Sequence, residues 1–219
     1  MIGNPSHADQ PVMAMGAPLS QAQSAVVMLH GRGASAGDIL SLVPYLDQGL
    51  PPTCAYLAPQ AANHTWYPYS FLAPLSDNEP HLGAALDTIH RIMAQLEAAN
   101  IPPERVIVMG FSQGACLALE YAARHPRRYG GLAGLSGGLI GPPDHPFAYA
   151  GSLDGTPAYL GCSDIDPHIP LDRVERTAEV LQGMGASVTK EIFAGMAHTI
   201  ISAELDRIRD MLAQLVASS

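Results

Sequence analysis

Positive charge is scarce in this sequence. Its 219 residues include 11 lysines and arginines against 20 aspartates and glutamates, which gives a formal net charge of −9. No nucleic acid is therefore expected as a partner, because little here would neutralise a phosphate backbone. The same balance disfavours electrostatic docking on an anionic membrane surface.

Cysteines are few and long apolar runs are absent. Cys54, Cys116 and Cys162 are odd in number and have no C-x-x-C spacing, so neither a disulfide framework nor a zinc site is expected, and a reducing compartment is predicted. No apolar run approaches the roughly 18 residues of a membrane helix, and the first residues lack the basic region of a signal peptide. We therefore expect a soluble, cytoplasmic protein without integral membrane association.

The sequence does have an apolar fraction of 47%, enough for a buried core in a single domain over residues 1–219, of which 1–11 are expected to be loose. Short apolar runs alternate with longer amphipathic ones. The predicted strands are 25–30, 54–58, 105–109, 131–135, 158–162 and 188–193. The predicted helices are 36–48, 81–99, 113–124, 171–183 and 199–216. This alternation predicts an α/β fold: a mostly parallel sheet with helices on both faces.

In sheets of this kind ligands bind at the carboxyl ends of the strands, and the pentapeptide G-F-S-Q-G lies at such an end. A serine between two glycines here is typical of a nucleophile on a sharp turn, where larger flanking residues would clash with the neighbouring strand and helix. A helix cap at Ser112 is the alternative. The strand before Ser112 and the helix after it favour the nucleophile.

A serine nucleophile needs a base, and the base needs a carboxylate that orients it. Of nine histidines, His198 follows the last predicted strand and precedes the last helix, which favours it as the base over a surface role. His30 lies in a glycine-rich turn. Asp164 and Asp166 both follow the strand over 158–162; Asp166, which precedes a proline, is preferred, although turn or cap roles stay open for both.

Acyl transfer also needs hydrogen-bond donors for the developing oxyanion. The backbone N–H of Gln113 is one candidate, because it follows the nucleophile. The backbone N–H of Arg32 is the other, since the glycines of its loop, LHGRGASAGD, allow the backbone to approach a ligand closely. An anion-binding turn is the alternative for this loop. A dinucleotide site is not expected, because the spacing does not fit G-x-G-x-x-G.

Together, VVMLHGRGASAGDIL, RVIVMGFSQGACLALEYA, GCSDIDPHIPL and FAGMAHTI resemble the phospholipase/carboxylesterase family of small α/β-hydrolases over nearly the whole chain. The resemblance implies an α/β-hydrolase fold and a catalytic triad of Ser112, Asp166 and His198. It also implies that the N–H groups of Arg32 and Gln113 form the oxyanion hole. The reaction implied is hydrolysis of short- to medium-chain carboxylic esters or thioesters without a cofactor.

The Arg32 side chain and the aromatic segment each have two possible roles. Arg32 stands where the family often has leucine, so its side chain either reaches the pocket, favouring polar or acidic substrates, or faces solvent. In the family an aromatic segment lines the acyl pocket, and packing under the sheet edge is the alternative for the segment found here. The substrate-binding residues implied by the resemblance are Trp66, Tyr67, Phe71 and Leu72, with Tyr69 in the same segment.

These observations predict a serine carboxylesterase that acts on a small-molecule ester and uses no metal. A thioesterase or lysophospholipase with the same triad is the first alternative. A non-catalytic relative that binds a ligand is the second, and it is disfavoured because no triad member is missing. A homodimer is a further hypothesis.

Overall fold

The computed structural model describes residues 7–217. Its strands are β1 Val12–Gly16, β2 Ser24–Leu29, β3 Cys54–Pro59, β4 Val106–Phe111, β5 Gly131–Leu135, β6 Pro157–Ser163 and β7 Ser187–Phe193. Over this range they form one seven-stranded sheet in the order β1-β3-β2-β4-β5-β6-β7. Strand β1 runs antiparallel to β3, and every other neighbouring pair is parallel.

The helices cover both faces of this sheet. They are α1 Ala36–Leu40, α2 Val43–Leu46, α3 Leu75–Asn78, α4 His81–Ala98, α5 Gln113–Arg124, α6 Leu171–Gly183 and α7 Ser202–Ala217. One apolar cluster packs α4, α5 and α6 against the sheet, and a second cluster packs α1, α2 and α7 on the opposite face. Strands β2, β3 and β5 are buried along their whole length, because both of their faces are covered. The predicted α/β-hydrolase fold is confirmed.

Strand β1 is absent from the sequence prediction. All five of its residues are exposed, so no buried face marks it, and alanine and glycine are weak strand formers. It exists because it pairs with β3 at the edge of the sheet. The residues of such a strand have little sequence pattern from which the strand could be predicted.

The helix predicted over 36–48 is in fact the two short helices α1 and α2. Pro44 lies in the first turn of α2. A proline has no N–H to donate and crowds the carbonyl four residues earlier, so one helix cannot run through it. Ser35 caps the first helix by accepting the N–H of Asp38.

The N-terminal segment also differs from the expectation where it can be described. His7–Asp9 form a short 3-10 turn, and the side chain of His7 is buried. Its Nε2 lies 3.0 Å from the carbonyl oxygen of Trp66, and its Nδ1 accepts the N–H of Ala62 at 3.1 Å. These contacts hold the turn against the domain. The expectation for residues 1–6 lies outside the described residues.

The parallel strands bring four loops to one edge of the sheet. The loop after β2 contains Arg32, and the turn after β4 contains Ser112. Asp166 follows β6, and His198 follows β7. Within residues 7–217, no helix has both the length and the apolar character needed to cross a membrane.

Candidate active site

Ser112 lies on a sharp turn between β4 and α5, with φ 54° and ψ −119°. Residues other than glycine rarely adopt a positive φ, so this turn stores backbone strain. A Cβ on Gly110 would overlap the backbone of Gly114, and a Cβ on Gly114 would overlap the carbonyl oxygen of Leu29. Both glycines are therefore required for the helix to start directly against the strands.

His198 joins Ser112 to Asp166. Its Nε2 lies 2.9 Å from Ser112 Oγ, and its Nδ1 lies 2.7 Å from Asp166 Oδ2. Because the carboxylate takes the Nδ1–H, the Nε2 lone pair is left to accept the serine O–H. The three side chains form a continuous hydrogen-bond chain, although they come from three different strand ends.

The side chain of Asp166 is fully buried, and both of its oxygens are hydrogen-bonded. Oδ1 accepts the N–H groups of His168 and Ile169 at 2.8 and 3.0 Å. Burial alone would raise the pKa of Asp166, but the hydrogen bonds from His198 and from these two N–H groups outweigh it and hold the pKa below its ordinary value. Asp166 is thus ionised at neutral pH and able to stabilise a protonated imidazole.

Asp164, the alternative carboxylate, has a different contact. Its Oδ1 accepts the N–H of Gly195 at 2.8 Å, so it fixes the loop that leads to His198 without bonding the imidazole. Two rings flank that imidazole: Phe111 lies at 4.9 Å and His168, edge-on, at 4.8 Å between ring centroids. Together these contacts restrict how far the ring can turn away from Ser112.

His30 is buried and does not belong to this hydrogen-bond chain. Its Nδ1–H donates to the carbonyl of Gly31 at 2.7 Å, and its Nε2 accepts the N–H of Ala61 at 3.1 Å. Burial lowers the pKa of His30, so the ring stays neutral at pH 7. Its two hydrogen bonds fix the loop that contains Arg32.

Two backbone donors lie beside the serine. The N–H groups of Arg32 and Gln113 have no acceptor among the hydrogen bonds of residues 7–217. Gln113 opens α5, where the backbone N–H groups are unpaired and carry the positive end of the helix dipole. Gly31 brings the other loop close, since a Cβ on it would lie 3.5 Å from Ser112 Cβ. Both groups are available to an anion at Ser112.

A cleft of about 450 Å³ opens over Ser112 and His198. Its volume is in the range of small-molecule sites. It is lined by Arg32, Tyr67, Pro68, Tyr69, Ser70, Phe71, Ser112, Gln113, Cys116, His168, Ile169 and His198. Among the four aromatic-segment residues singled out in the sequence, Tyr67 and Phe71 line this cleft.

Trp66 and Leu72 do not line the cleft, which corrects the sequence prediction. Trp66 is buried between the rings of His7 and His30 and donates its Nε1–H to the carbonyl of His30 at 2.9 Å. A buried indole needs such an acceptor, and this carbonyl supplies it on the core side of the segment. Leu72 packs against the main apolar cluster.

The side chains of Arg32 and Gln113 both contact the aromatic segment. Arg32 donates to the carbonyls of Tyr67, Pro68 and Tyr69. The side chain of Gln113, to which the sequence gives no role, bonds the N–H of Trp66 and the carbonyl of Tyr67. Arg32 also lines the cleft and is exposed, so the two roles expected for its side chain, a substrate contact and a solvent-exposed charge, stay predictions beside these three hydrogen bonds.

Cys116 also lines the cleft, a position that was not predicted from the sequence. Its position four residues after Ser112, in the first turn of α5, is the signal that could have placed it near the serine, and its N–H donates to the Ser112 carbonyl at 3.0 Å. Burial raises the pKa of the Cys116 thiol to about 12, so it stays protonated and is not a competing nucleophile. Over residues 7–217, no group of three or more histidines, cysteines and carboxylates could hold a metal ion.

The chain is similar to a known protein family and to solved structures. The model of the phospholipase/carboxylesterase family matches residues 11–216. The crystal structure of a phospholipase/carboxylesterase from Dyadobacter fermentans superposes with a TM-score of 0.88 and 40% identity, covering 94% of this chain and 97% of that chain. The crystal structure of esterase PE8 gives a TM-score of 0.77 at 26% identity and covers 94% and 98% of the two chains.

Two relatives named acyl-protein thioesterase 1 are also similar in sequence. The one from Saccharomyces cerevisiae is 26% identical over 223 residues, covering 92% of this chain and 97% of the relative. The one from Gibberella zeae is 32% identical over 127 residues, a match that spans 56% of this chain and about half, 53%, of the relative.

Proposed function

Because the chain belongs to the phospholipase/carboxylesterase family, we propose that it is a serine hydrolase that cleaves short- to medium-chain carboxylic esters through an acyl-enzyme. The observation that carries this proposal is the hydrogen-bond chain from Asp166 through His198 to Ser112. A solvent-open cleft lies directly over the serine, so an ester carbonyl has access to it.

In the first step, Ser112 Oγ attacks the carbonyl carbon of the ester while His198 Nε2 takes the hydroxyl proton. Asp166 holds the imidazole in the tautomer that can accept this proton and stabilises the positive charge that results. The negative charge on the carbonyl oxygen is stabilised by the N–H groups of Arg32 and Gln113. Collapse of the tetrahedral intermediate expels the alcohol, which receives its proton from His198.

In the second step, water replaces the alcohol in the cleft. His198 Nε2 takes a proton from this water, and the oxygen attacks the acyl carbon bound to Ser112. The same two N–H groups stabilise the second oxyanion. Release of the carboxylic acid returns the proton to Ser112 and regenerates the free enzyme.

The lining of the cleft supports an acyl group of limited length. Phe71, Cys116 and Ile169 contribute apolar surface, whereas Ser70 and His168 are polar. The cleft therefore offers a modest apolar surface next to a polar one, which suits a short or medium acyl chain carried by a polar leaving group.

The proposal is tested by comparing wild type with Ser112→Ala on p-nitrophenyl esters of increasing acyl length. The kcat of the variant should fall by about 10⁴-fold or more, to the residual rate that the oxyanion hole alone supports. A fluorophosphonate probe should label wild type at Ser112 and leave the variant unlabelled. Hydrolysis by the variant at the wild-type rate would refute the nucleophile assignment, and an unlabelled wild type would favour the non-catalytic alternative.

A thioesterase is the second candidate, and the observation that favours it is the similarity to acyl-protein thioesterase 1 over most of the chain. The triad chemistry is the same for an ester and a thioester, so the choice depends on the leaving group. Rates on matched acyl esters, acyl thioesters and lysophospholipids would distinguish the candidates. The homodimer and the cytoplasmic location stay predictions, which sedimentation velocity and cell fractionation would check.

A further inference from the structure

Residues 64–69, which we call the strap, include three residues that line the cleft, Tyr67, Pro68 and Tyr69. The side chain of Gln113 is hydrogen-bonded to the strap. Its Oε1 accepts the N–H of Trp66 at 2.9 Å and the hydroxyl of Thr65 at 3.3 Å, and its Nε2 donates to the carbonyl of Tyr67 at 2.8 Å. Gln113 is only 6% exposed, so these bonds form away from water.

The side chain of Arg32 is also hydrogen-bonded to the strap. Its guanidinium donates to the carbonyls of Pro68, Tyr67 and Tyr69 at 2.9, 3.0 and 2.7 Å. A guanidinium suits this task because its donors form a rigid planar fork that can reach several carbonyls at once. A leucine at this position could make none of these three hydrogen bonds.

The backbone of the Arg32 loop is bonded to the strap as well. The N–H of Gly33 donates to the carbonyl of His64 at 2.7 Å. The Nδ1 of the His64 ring lies 2.8 Å from the carbonyl of Ala34. The loop after β2 and the start of α5 are therefore linked to each other through one short segment, in addition to their links through the sheet.

We propose that Arg32 and Gln113 are positioning residues whose side chains, through the strap, fix the spacing of their own backbone N–H groups. This inference rests on the proposed function, because it assigns those N–H groups to the oxyanion hole. A misplacement of about 1 Å in an active site can lower the rate about 10²-fold. The full negative charge on the oxygen forms after the substrate has bound, so a loosened strap lowers kcat more than it changes KM.

The strap is also a wall of the cleft, through Tyr67, Pro68 and Tyr69. A substrate that packs against these residues therefore touches the same segment that sets the oxyanion donors. Long acyl groups that pack against these residues should themselves keep the strap in place. The loss of kcat on removal of the Arg32 guanidinium should therefore be greatest for the shortest acyl chains.

The test compares wild type with Arg32→Met, Arg32→Lys and a control, Arg176→Met. Arg176 is an exposed arginine on α6 that pairs with Glu179, and neither residue is among those that line the cleft. We expect Arg32→Met to lower kcat by about 10- to 100-fold on p-nitrophenyl acetate, with KM changed less than about threefold. Arg32→Lys should recover part of the loss, because an ammonium can bond one carbonyl but cannot fork across three.

Three further measurements separate positioning from other roles. The kcat loss should be a similar factor for neutral and anionic esters, because the proposed loss arises at the backbone N–H groups and not from contact between the guanidinium and the substrate. Hydrogen exchange of the strap amides should be faster in Arg32→Met than in wild type, a readout that needs no catalysis. The double variant Arg32→Met/Gln113→Met should lose less than the product of the single losses, since either change already frees the strap.

The outcomes are distinct. If folded Arg32→Met has an unchanged kcat, or an unchanged rate of amide hydrogen exchange in the strap, the inference is overturned. The proposed function is unaffected by that result as long as the wild type is active. A loss confined to anionic esters also overturns it and makes Arg32 a substrate contact. A wild type that neither hydrolyses esters nor is labelled at Ser112 overturns the proposed function, and the inference with it. Thermal unfolding of each variant identifies any that fail to fold, and Arg32→Lys then supplies the kinetic comparison.

Discussion

Asp166 Oδ2 and His198 Nδ1 lie 2.7 Å apart, although 32 residues separate them in the chain. Strands β6 and β7, which precede the two residues, are parallel neighbours from Pro157 and Ser187 to Ser163 and Phe193. The two side chains meet because both strands end at the same edge of the sheet. The carboxylate decides which nitrogen of the imidazole carries the proton, and this choice can be tested.

Asp166→Asn is expected to lower kcat about 10⁴-fold with little change in fold. Asparagine has the same shape, and its oxygen can still accept the N–H groups of His168 and Ile169. Its amide nitrogen would then face His198 Nδ1 as a donor, which favours the tautomer that leaves Nε2 unable to accept the serine proton. Steady-state kinetics on p-nitrophenyl acetate measures the loss, and circular dichroism checks the fold.

Asp164→Asn is the matched control for that experiment. Asp164 lies two residues away, and an asparagine oxygen can still accept the N–H of Gly195. Its kcat should remain within about threefold of wild type, because the amide substitution leaves the tautomer of His198 untouched. If Asp164→Asn shows the larger loss, the orienting carboxylate has been assigned to the wrong aspartate.

Gly114→Ala is expected to destabilise the protein by about 3 kcal/mol or more. The added methyl group would overlap the carbonyl oxygens of Leu29 and His30, which belong to the backbone and cannot rotate away. Gly183→Ala is the control, since its Cβ would meet nothing within 4 Å and lies at the end of α6. Urea unfolding should show a neutral or slightly stabilising effect for Gly183→Ala; equal stability of the two variants would contradict the packing argument.

The hydrogen-bonded group of Ser112, Asp166 and His198 could be predicted from sequence because its positions follow from a rule about parallel sheets. Ser112 comes directly after β4, Asp166 three residues after β6 and His198 five residues after β7, and parallel strands end at one edge of the sheet. The burial of Asp166 and the 2.9 Å approach of His198 to Ser112 required the folded chain, since loop conformations set them.

The orientation of the side chains in the aromatic segment could not be predicted from sequence. The segment has no regular hydrophobic period, so its sequence does not indicate which rings face the cleft and which face the core. Trp66 faces the core because a carbonyl of His30 accepts its N–H there. The partners of the Arg32 side chain lie 35 to 37 residues away in that irregular segment, beyond any local pattern.

Trp66→Phe is expected to weaken stability by about 1–3 kcal/mol and to leave acyl-length preference unchanged. The substitution removes the donor to the buried carbonyl of His30 but alters nothing that lines the cleft. Phe71→Ala is the contrasting variant, because Phe71 lines the cleft and removal of its ring enlarges the space for an acyl chain. It should shift kcat/KM toward longer acyl chains by about 10-fold. A changed acyl preference in Trp66→Phe would show that the indole reaches the substrate.

Glu204 makes the stability of the fold depend on pH. It is fully buried beside β6, its Oε2 accepts the N–H of Ile201 at 3.0 Å, and its Oε1 has no hydrogen-bond partner within residues 7–217. Burial raises the pKa of Glu204 from 4.5 to about 7. The folded protein therefore keeps this proton at pH values where the unfolded chain has released it.

The sign of the effect follows from proton binding. The stabilisation by neutral Glu204 is complete below pH 4.5 and declines between pH 4.5 and about 7, because in this window the folded state binds more protons than the unfolded state. Glu204→Gln cannot ionise and can still accept the N–H of Ile201. Relative to wild type, it should gain about 2–3 kcal/mol in unfolding free energy from pH 4.5 to pH 8. Urea unfolding across this range measures the difference, with the exposed Glu179→Gln as the control; parallel pH curves for wild type and Glu204→Gln would mean that Glu204 ionises normally in the folded protein.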